Sequence, residues 1–562
     1  MKKNDIVSGT VYRTDFPDKG YVQIKDEDGE HVMKVKGVLP GQEILARVTR
    51  RQIQAETGKE RLEGRLESVI KESPDSVLSP CPHFGECGGC AYLSLPYDKA
   101  AKLKEEQVMR LLEPVWAYAA NKQNSFSKLS QGLNESDLND SLVNRQSQFQ
   151  NEKKDTPFRP LWEELQGSPD VFGYRNKMEF TFGDAYKGGP LTLGMHKLGH
   201  FHDIVSVTDC QIVDADYRLV LQKTLDFFGP LYENGQISFY NRMQKSGYLR
   251  HLLVRKGIHA GEILIDLITT SQFPSKTTPL NNKDTGFNIS STEQLPEESD
   301  QLLSTTSKGV ESEKSLSVED ILDNFKNSLL NLSSQLNAKI AGILHTINDA
   351  EADAIIDQGT KILYGREYFE ENLLGITFTV TPFSFFQTNS GGAEVLYSKV
   401  REYCEIALKK DTSGQRVGTI YDLYCGTGTI TQLVSPYADK VVGVEIVPEA
   451  VEAARINAEK NNISNATFIC GDVLKEIELL DCPPDLMILD PPRDGIHPKA
   501  LPKIIDFNAK SIIYVSCKPT SLARDLPYIL SHGYICTHVV CVDQFPWTRH
   551  VEVVTCLQRV DS

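Results

Sequence analysis

A cysteine late in the chain has the setting expected of a nucleophile. Cys517 lies in Ser516-Cys517-Lys518-Pro519, directly after the apolar run at residues 511–515. A thiol attacks as the thiolate, which needs exposure and a nearby positive charge, and a strand end beside Lys518 predicts both. Four other late cysteines stand within apolar strand-like runs, which predicts that they pack in the core: Cys470, Cys536, Cys541 and Cys556.

A glycine turn upstream of this cysteine predicts a nucleotide-like cofactor. The run at 419–424 leads into Cys425-Gly426-Thr427-Gly428, where Gly426 and Gly428 let the backbone approach a ligand and turn into a helix. Glu445 ends the next apolar run, where a carboxylate can accept hydrogen bonds from ribose hydroxyls. Thr431 replaces the third glycine of a dinucleotide motif, so a nucleoside without a pyrophosphate, such as S-adenosylmethionine, fits better.

Two aspartates follow later strand-like runs of the same region. Asp472 comes after residues 467–470 and could hydrogen-bond an adenine base; an ordinary strand–turn–helix connection is the alternative. Asp490-Pro491-Pro492-Arg493 follows a further apolar run and supplies an acidic strand end. Because ligands of doubly wound sheets bind at the carboxyl ends of the strands, we expect these groups to lie at one edge.

A thiol, an acidic strand end and a nucleoside site together predict covalent methyl transfer to a pyrimidine. Carbon 5 of a pyrimidine is a poor nucleophile, and thiolate addition at carbon 6 turns it into a carbanion equivalent that can take a methyl group from a sulfonium donor. A base must then remove the carbon-5 proton so that the thiol can leave. Glu552 begins the last predicted strand among apolar residues and is the candidate base; a half-exposed strand glutamate is the alternative.

The patterning predicts three domains. Residues 1–70 hold five short alternating strands, which suits a small β-barrel of the oligonucleotide-binding type. Residues 71–380 predict a mixed α/β domain with polar insertions at about 121–158 and 272–318. Residues 381–562 predict a Rossmann-like doubly wound α/β domain with seven strands, at 418–424, 440–446, 466–470, 485–490, 511–515, 533–542 and 551–557.

Three close cysteines and one distant cysteine form a candidate metal site. Cys81, Cys87 and Cys90 supply three thiols, and Cys210 is the one further cysteine before residue 400. Four thiolates fit either zinc or a [4Fe–4S] cluster, and the spacing alone slightly favours zinc.

Composition and charge bear on the binding partners and the cellular location of the protein. A net charge of −16 argues against a generally basic nucleic-acid binder, although a local basic face is enough to bind RNA. Arg250 lies in a basic strand-like run at 249–255, where RNA contact and ordinary solvation both stay open. Without an apolar stretch of membrane-spanning length or a signal-like N-terminus, we expect a cytoplasmic, monomeric protein that does not contact a membrane.

Five motifs in order identify a family resemblance. The chain resembles the S-adenosylmethionine-dependent RNA uracil-5-methyltransferases, nearest to their iron–sulfur 23S ribosomal RNA branch, and its N-terminal region looks like the TRAM domain of many members. The motifs are Ser384-Phe385-Phe386-Gln387-Thr388-Asn389, the turn at 422–428, Asp490-Pro491-Pro492-Arg493, Ser516-Cys517-Lys518-Pro519, and residues 543–546 leading to Glu552.

The resemblance implies roles for individual residues. Cofactor contacts are implied at Gln387, Tyr424, Glu445 and Asp490, with Cys517 as nucleophile and Glu552 as base. Phe385 or Phe386 would stack near a uridine flipped out of the RNA. The resemblance also favours [4Fe–4S] over zinc, in a structural role because methyl transfer is redox-neutral.

Three rival functions remain open at this point. Transfer RNA is an alternative substrate to 23S ribosomal RNA. An RNA cytosine-5 methyltransferase would use the same thiolate logic but typically carries a Pro-Cys motif where this chain has Asp490-Pro491-Pro492-Arg493. A non-catalytic iron–sulfur RNA-binding protein would leave Cys517 and Glu552 without a role.

Overall fold

The computed structural model describes most of the chain. The described residues are 1–27, 29–53, 60–126, 160–200, 202–273, 317–352, 354–408, 418–480 and 482–560. Of the two predicted polar insertions, residues 127–158 and 274–316 lie outside this set. None of the described helices combines the length and apolar character needed to cross a membrane.

The N-terminal strands close into a barrel, as predicted. Alternating apolar residues turn one face of each strand inward, and the parallel pairing of the third strand with the fifth, together with the pairing of the first with the fourth, closes the sheet. The strands are β1 (Ile6–Asp15), β2 (Lys19–Asp26), β3 (Gly29–Lys36), β4 (Glu43–Ile53) and β5 (Glu60–Lys71). A long helix, α1 (Tyr97–Phe126), follows.

The central region builds a seven-stranded mixed sheet. A strand that joins a different sheet, β6 (Leu161–Gln166), comes first in this region. The remaining strands and helices are β7 (Lys177–Asp184), β8 (Leu191–His196), β9 (Ile204–Ser206), α2 (Ala215–Glu233), β10 (Leu249–Gly257), β11 (Glu262–Thr269), α3 (Val318–Leu330), β12 (Lys339–Ile347) and β13 (Thr360–Gly365). The strand order is β13-β12-β11-β10-β7-β8-β9. Every residue of β10 is buried because this strand occupies the middle of the sheet. A short antiparallel pair, β14 (Phe369–Leu373) and β15 (Ile376–Val380), follows.

The C-terminal region forms an eight-stranded sheet of order β18-β17-β16-β19-β20-β22-β21-β6. All seven predicted strands are present, with ends shifted by at most two residues, and β6 from the central region is an additional edge strand that pairs in parallel with β21. The elements are α4 (Ser390–Ala407), β16 (Thr419–Leu423), α5 (Thr429–Val434), β17 (Lys440–Glu445), α6 (Pro448–Lys460), β18 (Ala466–Cys470), α7 (Val473–Glu476), β19 (Leu486–Leu489), α8 (Ala500–Asp506), β20 (Ser511–Ser516), α9 (Pro519–Ser531), β21 (Tyr534–Val542) and β22 (Glu552–Arg559).

Strand direction decides where the candidate site lies. The strands β16 to β20 run in parallel, so the residues that follow them meet at one edge of the sheet. The last strand, β22, runs antiparallel to β20, and it therefore begins at the same edge. This edge collects the glycine turn, Asp490, Cys517 and Glu552.

Candidate active site

The candidate nucleophile and the candidate base lie on adjacent strands. Ser516 pairs with Val553 in the β20–β22 ladder, which places Cys517 next to Glu552 at the edge of the sheet. Cys517 is half-buried, whereas Glu552 is 4% exposed. The carboxylate of Glu552 is close enough to the thiol to raise the pKa of Cys517. The structure thus brings together a thiol and a carboxyl group that the sequence separates by 34 residues.

Three carboxyl groups at this edge hold their protons unusually strongly. Burial, and then the charge of Asp490, raise the pKa of Glu552 to about 8. Burial and the neighbouring Asp422 raise the pKa of Asp490 to about 7, and burial does the same for Asp422. Such a group of carboxyls cannot all be ionised near neutral pH, and strongly raised pKa values of this kind are frequent in active sites.

The electrostatic setting of Cys517 differs from the sequence-based prediction. Burial, Glu552 and Asp490 raise the pKa of the thiol to about 12, and Arg493 opposes them only in part. Lys518, the cation expected beside the thiol, instead points to Asp494, with 3.6 Å between Nζ and Oδ1. The thiol is therefore held in its protonated form, because burial and two acidic neighbours together outweigh one arginine.

The glycine turn after β16 has a backbone that requires its glycines. Gly426 and Gly428 both have positive φ angles, of 54° and 72°, as does Tyr424, at 69°. The amide of Gly426 donates to Glu445 Oε2 at 3.0 Å, so the acidic strand end lies against the turn. A Cβ atom on Gly428 would stand only 2.6 Å from Phe468 Cε1, which explains why this position needs glycine.

The loop that precedes α4 carries Gln387, which lies at the same edge of the sheet. Gln387 Oε1 accepts from Gln544 Nε2 at 2.9 Å, and the side chain of Gln387 also hydrogen-bonds the hydroxyl of Tyr397. Tyr397 is buried, and burial followed by the charge of Asp490 raises its pKa. Tyr397 could not be singled out from the sequence, because its position within the α4 pattern marks it as an ordinary core residue.

The structure separates the two phenylalanines of this loop. Phe385 is 69% exposed and is available to a base, whereas Phe386 is 5% exposed and packs on Phe378 with 5.8 Å between ring centroids. A core position leaves Phe386 no face for stacking, which corrects its inclusion among substrate contacts. Asp472 caps α7 by accepting from the amide of Leu474 at 3.0 Å, and it stays partly exposed next to the turn.

Arg250 has a structural role. Its side chain is 3% exposed, and its guanidinium donates to the carbonyl oxygens of Asn348, Ala350 and Ala352 at 2.6–2.9 Å. The prediction of an RNA contact at Arg250 is therefore wrong for this structure, since β10 lies inside the sheet and not on a basic face. Cys470 also departs from its predicted burial, because β18 is an edge strand and leaves the thiol exposed.

The four early cysteines line one cavity. Cys81, Cys87, Cys90 and Cys210 surround a space of about 230 Å³ that Arg175 and His550 also border. Burial first and the neighbouring thiols second raise the pKa of Cys90 to about 12, so the thiols lie close together. Over the described part of the chain, no three His, Cys, Asp or Glu side chains are arranged around a single metal ion.

The chain is similar in sequence to RNA methyltransferases. The family model for tRNA (uracil-5-)-methyltransferase matches residues 305–560. An uncharacterized RNA methyltransferase of Clostridium tetani (strain Massachusetts / E88) is 38% identical over 562 residues, which cover 100% of this chain and 99% of the relative. An uncharacterized RNA methyltransferase of Caldanaerobacter subterraneus subsp. tengcongensis is 37% identical over 559 residues, with 100% of both chains covered.

One solved structure has the same fold over nearly the whole chain. The crystal structure of Pyrococcus abyssi tRNA (uracil-54, C5)-methyltransferase in complex with S-adenosyl-L-homocysteine superposes with a TM-score of 0.61. The alignment covers 98% of this chain and 100% of that chain at 21% sequence identity. At this identity the likeness establishes a common fold.

Proposed function

The chain belongs to the S-adenosylmethionine-dependent RNA uracil-5-methyltransferase family, and we propose that it methylates carbon 5 of a specific uridine in RNA. The observation that carries the proposal is the placement of Cys517 beside Glu552 at the edge that holds the glycine turn. We take 23S ribosomal RNA as the substrate on the sequence resemblance. Transfer RNA is the alternative, because the structural relative from Pyrococcus abyssi is named for uracil 54 of tRNA.

The residues at this edge suffice for each step of the proposed methyl transfer. The Cys517 thiol first loses its proton to solvent. The thiolate sulfur then bonds to carbon 6 of the uracil, and the electron pair of the 5,6 double bond moves onto the carbonyl to form an enolate. S-adenosylmethionine, when bound, supplies the methyl group that carbon 5 takes up. Glu552 then accepts the carbon-5 proton, and the bond between the sulfur of Cys517 and carbon 6 breaks to restore the double bond.

The cofactor residues fit a nucleoside with a sulfonium side chain. Glu445 would accept hydrogen bonds from the ribose hydroxyls, and Asp472 would contact the adenine base. The turn that approaches the nucleoside is formed by Tyr424, Gly426 and Gly428. We assign Gln387 and Asp490 to the methionine end, because Gln387 hydrogen-bonds Tyr397 and the charge of Asp490 acts on both Tyr397 and Glu552. Phe385 is the remaining aromatic candidate for stacking on the flipped uridine.

We also propose that the cysteine cavity holds a [4Fe–4S] cluster. Zinc needs four ligands closing on one atom at about 2.3 Å, and the thiols instead surround a cavity. Cys81, Cys87, Cys90 and Cys210 are the donor set that such a cluster takes. Its role would be structural, since methyl transfer is redox-neutral, and zinc remains the alternative.

We propose that residues 1–70 act as a TRAM-like barrel, residues 71–380 as the cluster-bearing domain and residues 381–562 as the methyltransferase domain. The protein would act as a monomer in the cytoplasm, with RNA as its macromolecular partner.

Two experiments test the proposal. Mass mapping of 5-methyluridine in ribosomal and transfer RNA, from cells with and without this gene, should show loss at one or more 23S sites. Loss in transfer RNA alone would overturn the ribosomal assignment, and loss of 5-methylcytidine would overturn the uracil assignment. Cys517→Ala should abolish methylation while S-adenosylmethionine binding persists; surviving methylation would refute the covalent mechanism.

A further inference from the structure

A buried lysine joins the helix α1 to the C-terminal sheet. Lys104 is 1% exposed, and its ammonium group donates to Asp543 Oδ1 at 2.7 Å, to the carbonyl of Phe545 at 2.9 Å and to the carbonyl of His550 at 3.0 Å. An ammonium group has three donors, so all of them are used by one short segment. The sequence separates Lys104 from these partners by 439 to 446 residues.

The segment that Lys104 holds leads directly into the candidate base. Residues 543–551 connect β21 to β22, and Glu552 is the first residue of β22. The same segment is held from a second side, where the carbonyl of Trp547 accepts from the amides of Ala91 and Tyr92 at 2.7 and 2.9 Å. Trp547 has a φ of 67°, an unfavourable conformation for a residue with a side chain, which these contacts maintain.

The segment also contacts the other side of the reacting edge. His550 Nδ1 lies 3.0 Å from Arg493 Nη2, and Arg493 follows Asp490 in the loop after β19. Arg493 acts electrostatically on both Cys517 and Glu552, whose pKa values it lowers. A displacement of His550 would therefore shift the arginine together with the start of β22.

Stability alone does not account for a charge at this position. Replacing a buried ion pair with apolar side chains of similar volume is often neutral or stabilising, because desolvation offsets the attraction between the charges. An ammonium group that meets one carboxylate and two carbonyls fixes the path of a loop in a way that an apolar side chain does not.

We propose that Lys104 is a positioning residue for proton removal: it holds residues 543–550 so that the Glu552 carboxylate stands at carbon 5 of the methylated adduct. This inference rests on the proposed function, in which Glu552 is the base. It separates two steps of the reaction, because thiol addition and methyl uptake need Cys517 and the cofactor site, while elimination needs Glu552 in place.

The test follows both steps in the full-length protein. The probe is total RNA that carries [5-³H]uridine, taken from cells lacking this gene. Methyl incorporation reports the first step, and tritium release from carbon 5 reports proton removal. For Lys104→Gln we expect tritium release to slow by at least about tenfold, with first-turnover methyl incorporation within about threefold of the parent protein. Methylated RNA should then remain covalently attached to the protein under denaturing conditions.

Control variants make the outcomes separable. Lys102 is exposed on the same helix, so Lys102→Gln should match the parent protein in both measurements. Glu552→Gln should show the same split as Lys104→Gln. Tritium release at the parent rate in Glu552→Gln would refute the base assignment on which this inference rests. A slow Glu552→Gln beside a normal Lys104→Gln would overturn this inference alone.

A second variant covers the case in which Lys104→Gln does not fold. Asp543→Asn keeps the shape of the lysine's partner and removes its charge, and we expect the same split between methyl incorporation and tritium release, in reduced size. Equal loss of both measurements in soluble Asp543→Asn, or normal tritium release, would overturn the positioning role.

Discussion

Glu552 lies beside Asp490, and burial first and the charge of Asp490 second raise the pKa of Glu552 to about 8. A carboxyl group with this pKa is mostly protonated at neutral pH and becomes a carboxylate as the pH rises. In the proposed mechanism, this pairing would give Glu552 a high affinity for the carbon-5 proton and make proton removal sensitive to pH.

The rate of tritium release should therefore rise with pH through about 8. The ionised fraction of Glu552 increases over this range, and only the carboxylate accepts a proton. Asp490→Asn removes a charge that raises the pKa of both Glu552 and Cys517, so its profile should shift to lower pH when measured at saturating S-adenosylmethionine. A flat profile from about pH 6 to about pH 9 in the parent protein would contradict the assignment of Glu552.

The buried Asp422 should make folding stability depend on pH. Burial raises its pKa to about 7, well above that of an unfolded aspartate. A carboxyl with a raised folded pKa contributes stability below the unfolded pKa, and this contribution is lost as the pH rises through the folded value. We expect Asp422→Asn to gain on the order of 2–4 kcal/mol relative to the parent between about pH 4 and about pH 8.

Urea unfolding at both pH values measures this difference. Asn keeps an acceptor for Thr431 Oγ1, which donates to Asp422 Oδ2 at 2.6 Å, so the hydrogen bond survives the substitution. An equal effect of Asp422→Asn at both pH values would show that the carboxyl is ionised throughout.

Gly428 should not tolerate a side chain. Its φ is 72°, and a Cβ atom would stand 2.6 Å from Phe468 Cε1 and 2.8 Å from Ala454 Cβ. Gly428→Ala should lower the free energy of unfolding by roughly 2–4 kcal/mol and abolish S-adenosylmethionine binding, because the turn must shift to relieve the overlap. Gly375 has a φ of 86° with open space around it, so Gly375→Ala should cost about 1–2 kcal/mol and leave cofactor binding intact. Calorimetric titration of the cofactor distinguishes the two variants.

Much of the C-terminal sheet could be predicted from sequence because its signals are local. Apolar runs and glycine turns mark the strands from β16 to β22, and the carboxyl ends of parallel strands must meet at one edge. The N-terminal barrel could also be predicted, since apolar and polar residues alternate along five short strands and few other folds suit that pattern. The β6 edge strand was not, because it pairs with a strand more than 370 residues further along the chain.

Long-range contacts also explain what the site prediction missed. Lys104 and Arg255 look like ordinary helix and strand residues, and the partners of both are distant in sequence. Tyr397 looks like a helix core residue, and only the fold brings it near Asp490. Arg250 shows the converse error: a basic residue in a strand suggested a solvated or RNA-binding face, but the position of β10 in the middle of its sheet decides its burial. The raised pKa of Cys517 likewise depends on burial and on the charges of Glu552 and Asp490, which only the fold brings near it.

Arg255 should support the loop that carries Phe385 and Gln387. Its buried guanidinium donates to the carbonyls of Thr381, Pro382 and Ser384 at 2.7–3.0 Å. Arg255→Met would leave these carbonyls unpaired, so we expect a loss on the order of 3 kcal/mol in unfolding free energy together with weaker binding of the cofactor.

Arg250→Met is the matched control, because Arg250 also donates to three carbonyls but at a loop that carries no proposed site residue. It should lose comparable stability and keep the cofactor affinity of the parent protein. Equal cofactor affinities in the two variants would show that Arg255 does not shape the site.

The cysteine cavity should retain iron in protein purified without oxygen. Four thiols around one cavity suit a [4Fe–4S] cluster, so we expect about four iron atoms and four acid-labile sulfides per chain. Cys210→Ser removes one ligand and should lose most of the iron, whereas Cys470→Ser alters an exposed thiol outside the cavity and should keep it. Stoichiometric zinc in place of iron would favour the tetrahedral alternative. Protein that holds neither metal under these conditions would contradict a cluster and leave the four thiols as a packing feature next to the segment that Lys104 supports.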